Sequence, residues 1–432
     1  MSNETKKTLI KNGILADGRV CDVLIENGFI TSVAPSLNDS EATIFDATSM
    51  IVMSGLVDLH THLREPGKED SETVLSGSRA GVKGGYVALS AMANTSPVAD
   101  NAGVVEQVYR LGKSAGLLDV FPIGAVTQGL EGKILAEIGA MADSVAQVRV
   151  FSDDGNCVSD PLVMRRALEY VKKFGGVIAQ HAQEPALTSG SQMNEGIVSA
   201  TLGLKGWPAV AEEAIIARDV LLAEHVGSRL HICHLTTAGG VEIIRWAKAR
   251  GINVTAEVTP HHLLLTDESA RSYDPIFKVN PPLRTEKDVL ALRHGLADGT
   301  IDIVATDHAP HPGESKECEW QEAAFGMLGL EHALSIVAAT MVESGLLDWA
   351  GVQNRMSVAP ARIAGYADHG REVTFGAPAH LTVINPKASY RVDRDQLQSK
   401  SRNTPFHGME FSARVVATFF HGNPVYQEGG NA

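Results

Sequence analysis

The chain has 432 residues, 44% of them hydrophobic and 20% charged, enough to bury the core of one main domain with an appendage. Its 37 Lys and Arg stand against 51 Asp and Glu, a net charge of -14, which argues against a nucleic-acid or acidic-membrane binder. No apolar run reaches membrane-spanning length, residues 1–9 carry no apolar signal segment, and Cys21, Cys157, Cys233 and Cys318 form no Cys-x-x-Cys, so the expectation is a soluble cytoplasmic protein without a disulfide framework or a thiolate zinc site.

Residues 8–53 read as short strands separated by turn signals. Asn12-Gly13 and Asn27-Gly28 are hairpin-type dipeptides between apolar runs such as Val23-Leu24-Ile25 and Phe29-Ile30. The far end is similar, with strand-like runs at 381–384 and 413–420 and a turn at Gly422-Asn423. Each end alone has too few strands for a stable core. Residues 1–54 and 366–432 are therefore expected to pair into one small β-sandwich domain beside a main domain of 55–365.

Within the main domain, apolar strand-like runs fall at 56–60, 86–92, 120–126, 148–151, 177–181, 230–234, 253–258 and 301–306. Helical patterns lie between most of them, for example at 102–113, 161–174, 210–225 and 240–250. This alternation predicts an α/β fold, a (β/α)8 TIM-like barrel with parallel strands covered on both faces. An open doubly wound sheet is the competitor. It would want a Gly-rich phosphate loop after a strand, and the sequence has no convincing one.

The first of these runs, Gly55-Leu56-Val57-Asp58-Leu59, ends in His60-Thr61-His62. Strand residues two apart share a face, so the two imidazoles form a metal half-site or, taken alone, two ordinary histidines at a strand end. The other runs add to it. Asp154 follows the fourth, His181 ends the fifth, His234 the sixth and Asp307 the eighth. All lie at C-terminal strand ends, where barrel enzymes place their chemistry. Four histidines and two carboxylates suit a pair of zinc-like ions, and packing alone does not explain so many polar groups on one rim.

His60-Thr61-His62-Leu63-Arg64-Glu65-Pro66-Gly67 resembles the signature of the dihydroorotases, in the cyclic-amidohydrolase superfamily. Ala93-Asn94-Thr95, Phe151-Ser152-Asp153-Asp154-Gly155, Asn280-Pro281-Pro282-Leu283-Arg284, Asp307-His308-Ala309-Pro310-His311 and Phe325-Gly326-Met327-Leu328-Gly329-Leu330-Glu331 resemble further motifs of the class I branch, in family order. The resemblance implies reversible cyclisation of N-carbamoyl-L-aspartate to L-dihydroorotate in pyrimidine synthesis, through a zinc-activated hydroxide with Asp307 as general base. It implies one or two Zn2+, two favoured. His60, His62 and Asp307 would hold one, His181 and His234 the other, with Asp154 bridging. Arg64, Asn94 and Asn280 would grip the substrate carboxylate, with His62 beside them, and His311 and the Phe325-Gly326 backbone would contact the ring. A homodimer, and association with aspartate carbamoyltransferase, are the partnerships expected beside the small-molecule substrate. Allantoinases, hydantoinases and inactive dihydroorotase-like scaffolds are the alternatives.

Two positions depart from the wider pattern. Residues 146–155 contain Arg149 but not the bridging lysine of many superfamily members, and Ala93 stands where proline is usual. Asp153 competes with Asp154 for the bridging role. His231 and Cys233 point away from the site by strand parity, His231 reading as structural and Cys233 as core. His261 and His262 read as neighbours of the site rather than ligands, and His308 as a support for Asp307 or its loop. The loop 313–322 reads as a solvated loop or a mobile lid.

Overall fold

The computed structural model describes residues 7–429. Residues 1–6 of the polar N-terminal stretch, and 430–432, lie outside them. The two chain ends build one eight-stranded sheet. Its order is Asn423–Gln427, Arg414–Phe420, Leu381–Asn385, Ile51–Ser54, Lys7–Leu15, Val20–Glu26, Phe29–Ala34, with Thr43–Asp46 pairing onto Lys7–Leu15 off this path. Ile51–Ser54 joins the two ends. It runs antiparallel to Leu381–Asn385 and parallel to Lys7–Leu15, and all four of its residues are buried. Ile10, Val23, Ile25, Val52, Val383, Ala417 and Phe419 share the core of this sheet.

Asn27 and Gly28, with φ of 54° and 84°, make the expected tight turn between Val20–Glu26 and Phe29–Ala34. Asn12-Gly13 is not a hairpin turn. It lies inside Lys7–Leu15, where the register with Val20–Glu26 shifts between Ile10 and Gly13, so the left-handed Asn12 (φ 58°) serves a bulge.

The main body contains eight parallel strands in the expected order. Leu56–Thr61, Tyr86–Ala91 and Asp119–Pro122 form one sheet. Val150–Phe151, Val177–Gln180, Leu230–Ile232, Val254–Val258 and Ile303–Val304 form a second. Single parallel bridges, Gly124 to Phe151 and Thr61 to His308, link the ends of the two sheets. At the second seam, buried Asp58 accepts from the Thr306 backbone N–H at 2.9 Å and from the Thr306 hydroxyl. Leu56–Thr61 and Tyr86–Ala91 are buried along their whole length, as strands covered on both faces must be.

Most of the strands are shorter than expected, and several lose their C-terminal residues. The sixth stops at Ile232 and the eighth at Val304. His234 and Asp307 beyond them have φ of 30° and 45°, which a strand ladder cannot hold. The helices follow ordinary caps. Ala102–Ala115 starts on the Asn101 side chain and stops at left-handed Gly116, and Pro161–Val171 starts on Asp160 with proline in its first turn. Pro161–Val171, Val210–Val226 and Ala238–Ala249 pack on the fifth, sixth and seventh strands in turn. Among the described residues no helix is long and apolar enough to cross a membrane.

Candidate metal centre

The strand ends deliver six buried side chains to one place. Potential ligand atoms of His60, His62, Asp154 and Asp307 lie within 4.8 Å of one another, as do those of Asp154, His181 and His234, so Asp154 belongs to both groups. Its Oδ2 is 3.3 Å from His60 Nε2 and 3.4 Å from His62 Nε2. Its Oδ1 is 3.1 Å from His181 Nδ1 and 3.0 Å from His234 Nε2. Asp307 Oδ1 is 3.1 Å from His62 Nε2 and 3.5 Å from His60 Nε2.

The donor set fits a metal. His60 Nε2 is buried and has no hydrogen-bond partner. His181 Nδ1 and His234 Nε2 approach to 2.9 Å while both face Asp154 Oδ1, an arrangement of lone pairs that a shared cation resolves. The outward ring nitrogens are held by acceptors. His60 Nδ1–H donates to Glu257 Oε1 at 2.6 Å, His62 Nδ1–H to Asn94 Oδ1 at 3.0 Å, and His181 Nε2–H to Gln183 Oε1 at 2.7 Å. Each contact turns the opposite nitrogen toward the cluster.

The electrostatics agree. Burial opposes charge on His60, but Asp154, Glu257 and Asp307 outweigh it and raise its pKa well above the ordinary value. Burial likewise pushes Asp154 up, yet the His60 charge and the hydrogen bonds from His181 and His234 hold it well below the usual carboxylate range. Negative charge is in excess here, and a dication neutralises it.

The neighbouring residues sort by their partners. Asp153 accepts from the Val126 and Thr127 backbone N–H groups at 2.8 and 3.0 Å and from the Thr127 hydroxyl, and is not in the cluster. His308 Nδ1 accepts from the Gly329 N–H at 3.2 Å, so its Nε2–H points to Glu72 at 3.3 Å, bracing the loop after Asp307. His262 is spent on Thr259 and the Pro281 carbonyl, whereas neither ring nitrogen of buried His261 has a partner. Arg149 donates to the Ala142 and Val148 carbonyls and takes no part in the cluster.

Strand parity misjudges the direction of two side chains, although His231 keeps its structural role and Cys233 its place in the core. His231 donates from Nε2 to Glu257 Oε2 at 3.0 Å, so it supports the carboxylate that holds His60. Cys233 lies with His60 and Glu257 in a third group of ligand-type atoms within 4.8 Å, although it also packs in an apolar cluster with Leu59 and Ile303. His231 lies inside the strand Leu230–Ile232, on the face that carries Glu257's partners, whereas Cys233 lies just past the strand's last residue, where alternation no longer sets direction. Burial raises the Cys233 thiol well above its usual range, and Glu257 is shared between His60 and His231.

Glu257, Gln183 and Glu72 escaped the sequence reading. The signal for Glu257 was a glutamate inside an apolar strand, which needs a buried partner. Glu257→Gln is expected to weaken metal affinity about 10–100-fold while the fold persists, since the amide is a poorer acceptor for His60. Competition against a chelator checks this, and wild-type affinity would contradict the role.

The remaining site candidates form a rim. Arg64 is 8% exposed, its Nε donates to the Pro310 carbonyl at 3.1 Å, and its two outer nitrogens have no hydrogen-bond partner among the described residues. Burial lowers its pKa to about 10, which leaves it charged. Asn94 is fixed by His62, whereas buried Asn280 Oδ1 has no partner. His311 Nε2–H donates to the Phe325 carbonyl at 2.8 Å. Gly326 has φ 146°, and a Cβ there would sit 2.7 Å from His311 Nε2, so only glycine allows this approach.

An α/β scaffold with such a cluster has the make-up of a hydrolase that activates water at a metal. The family model described as Dihydro-orotase-like matches residues 49–239. The chain is 64% identical to a dihydroorotase of Streptomyces coelicolor over 423 residues, 98% of this chain and 99% of that protein. It is 53% identical to a dihydroorotase of Mycobacterium tuberculosis, with 96% of each covered. Among solved structures it is similar to an L-hydantoinase (dihydropyrimidinase) from Arthrobacter aurescens, with TM-score 0.86, 26% identity, and 98% and 97% of the two chains covered. The chain belongs to the dihydroorotase family.

Proposed function

We propose that this chain interconverts N-carbamoyl-L-aspartate and L-dihydroorotate at a two-zinc centre, as the third step of pyrimidine synthesis. The observation that carries the reading is the unpaired guanidinium end of Arg64 beside a six-residue metal cluster, a fork for a carboxylate next to a centre for opening an amide. His60, His62 and Asp307 would hold one ion and His181 and His234 the other, with Asp154 between them. Zinc, when bound, polarises a carbonyl and lowers the pKa of water to about 7.

The chain's own residues do the rest. Asp307 accepts the proton of the attacking water at its carboxylate and returns it to the ring nitrogen as the amide bond breaks. Arg64, Asn94 and Asn280 hold the substrate carboxylate, and His311 with the Phe325-Gly326 backbone orients the ring. In the synthetic direction the same groups act in reverse.

In this reading the eight parallel strands close as one (β/α)8 barrel over residues 55–365, with the two bridged seams as its joins. Residues 1–54 and 366–432 form the small domain. Its sheet folds over as a sandwich, with Phe45 of the off-path strand against Phe419 at 5.5 Å. The chain is then a class I dihydroorotase working in the cytoplasm as a homodimer, able to associate with aspartate carbamoyltransferase. Turnover of dihydroorotate, hydantoin and allantoin by the isolated zinc-loaded protein tests the assignment. Dihydroorotate is expected to be the preferred substrate. Preference for hydantoin or allantoin would overturn it, and no turnover of any would favour an inactive scaffold.

A further inference from the structure

The groups assigned to the substrate ring sit on three irregular segments, 278–280, 309–311 and 324–326, which no regular helix or strand fixes. Two buried side chains from elsewhere tie these segments together. Asn403, 3% exposed, lies in the C-terminal part of the chain. Its Oδ1 accepts from the His311 backbone N–H at 3.1 Å, and its Nδ2 donates to the Ala309 carbonyl at 2.9 Å and the Gly326 carbonyl at 3.2 Å. Both amide protons and the amide oxygen are thus used on substrate-facing backbone.

Lys316 acts from the other side. It is 5% exposed, and its ammonium donates to the carbonyls of Lys278 at 3.0 Å, Ala324 at 2.9 Å and Gly326 at 3.1 Å. All three of its donors are filled by backbone carbonyls, with no carboxylate among these partners. A buried ammonium held only by carbonyls is an expensive way to fill space, and an apolar side chain would be the cheaper filler. Gly326 N–H donates to the Lys278 carbonyl at 3.0 Å, so the Gly326 peptide is held on both faces. The loop 313–322 is therefore pinned at Lys316 beside the site.

We propose that Asn403 and Lys316 are positioning residues that clamp His311 and the Phe325-Gly326 backbone in the arrangement that grips the substrate ring. The proposal rests on the reading of His311 and Phe325-Gly326 as ring contacts. It makes the substrate grip depend on a residue from the C-terminal segment, outside the catalytic strand ends.

The test uses the zinc-loaded full chain with Asn403→Ala, Lys316→Met, His311→Ala and the Asn403→Ala/His311→Ala double variant. Zinc content, kcat and KM for dihydroorotate are measured for each. Asn403→Ala and Lys316→Met are each expected to raise KM about tenfold, the scale of one lost polar contact, with zinc content unchanged and kcat altered much less. Because the clamp acts through His311, Asn403→Ala is expected to cost less than about threefold more in the His311→Ala background, where a merely structural loss would multiply in full. Wild-type KM in both single clamp variants, or full multiplication in the double variant, would overturn the clamp. A wild-type KM in His311→Ala would instead overturn the substrate reading of His311. Lys316→Met removes only the donors to three carbonyls, so it decides the matter if Asn403→Ala fails to fold.

Discussion

Asp307→Asn is expected to cut dihydroorotate turnover by at least about 10²-fold, the usual cost of losing a general base. Asp307 sits 5% exposed at the mouth of the eighth strand, with Oδ1 3.1 Å from His62 Nε2. Burial favours its neutral form, but the His60 charge and the His62 hydrogen bond outweigh it and hold its pKa below the ordinary carboxylate value. It is therefore ionised at neutral pH and able to take a proton. Asparagine keeps the shape but accepts no proton. The seam beneath it is independent, because Asp58 holds Thr306 and Glu72 holds His308. The variant should therefore fold, and circular dichroism checks that. Rates at saturating zinc separate loss of the base from loss of a ligand. Retained turnover would show that the proton goes elsewhere.

Arg64→Lys is expected to lower kcat/KM for dihydroorotate by roughly 10–100-fold, from a lost charge-assisted contact of about 1.5–3 kcal/mol. The Arg64 backbone is left-handed, with φ 63°, and its Nε is anchored on the Pro310 carbonyl, which fixes where the outer fork points. An ammonium has neither the anchor nor the paired parallel donors that match a carboxylate. Arg64 is outside the metal cluster, so zinc content should not change. Unchanged kinetics would remove Arg64 from the substrate site.

How much of this was legible follows from the kind of signal each part leaves. The parallel strands were readable because their buried runs are continuous, and the six clustered residues because each falls at the end of such a run. Asp154 over Asp153 came from the family motif, and hydrogen bonding to Val126 and Thr127 accounts for Asp153. Strand ends were misjudged at His234 and Asp307, since a positive φ leaves no mark in composition. The directions of His231 and Cys233 were misjudged because parity was counted from His234, which lies beyond the strand that ends at Ile232. Glu257 and Asn403 act across about 200 and 90 residues of sequence, on His60 and His311, and local pattern says nothing about contacts at that range. Asn12-Gly13 shows the reverse case, a turn dipeptide used for a bulge.

The most direct test is a titration of chelator-treated protein with zinc, following dihydroorotate hydrolysis and bound metal together. Activity is expected to be absent in the stripped protein and to rise with bound zinc until about two ions per chain, the number the two ligand groups sharing Asp154 would hold. Full turnover of dihydroorotate by the metal-free protein would contradict the account.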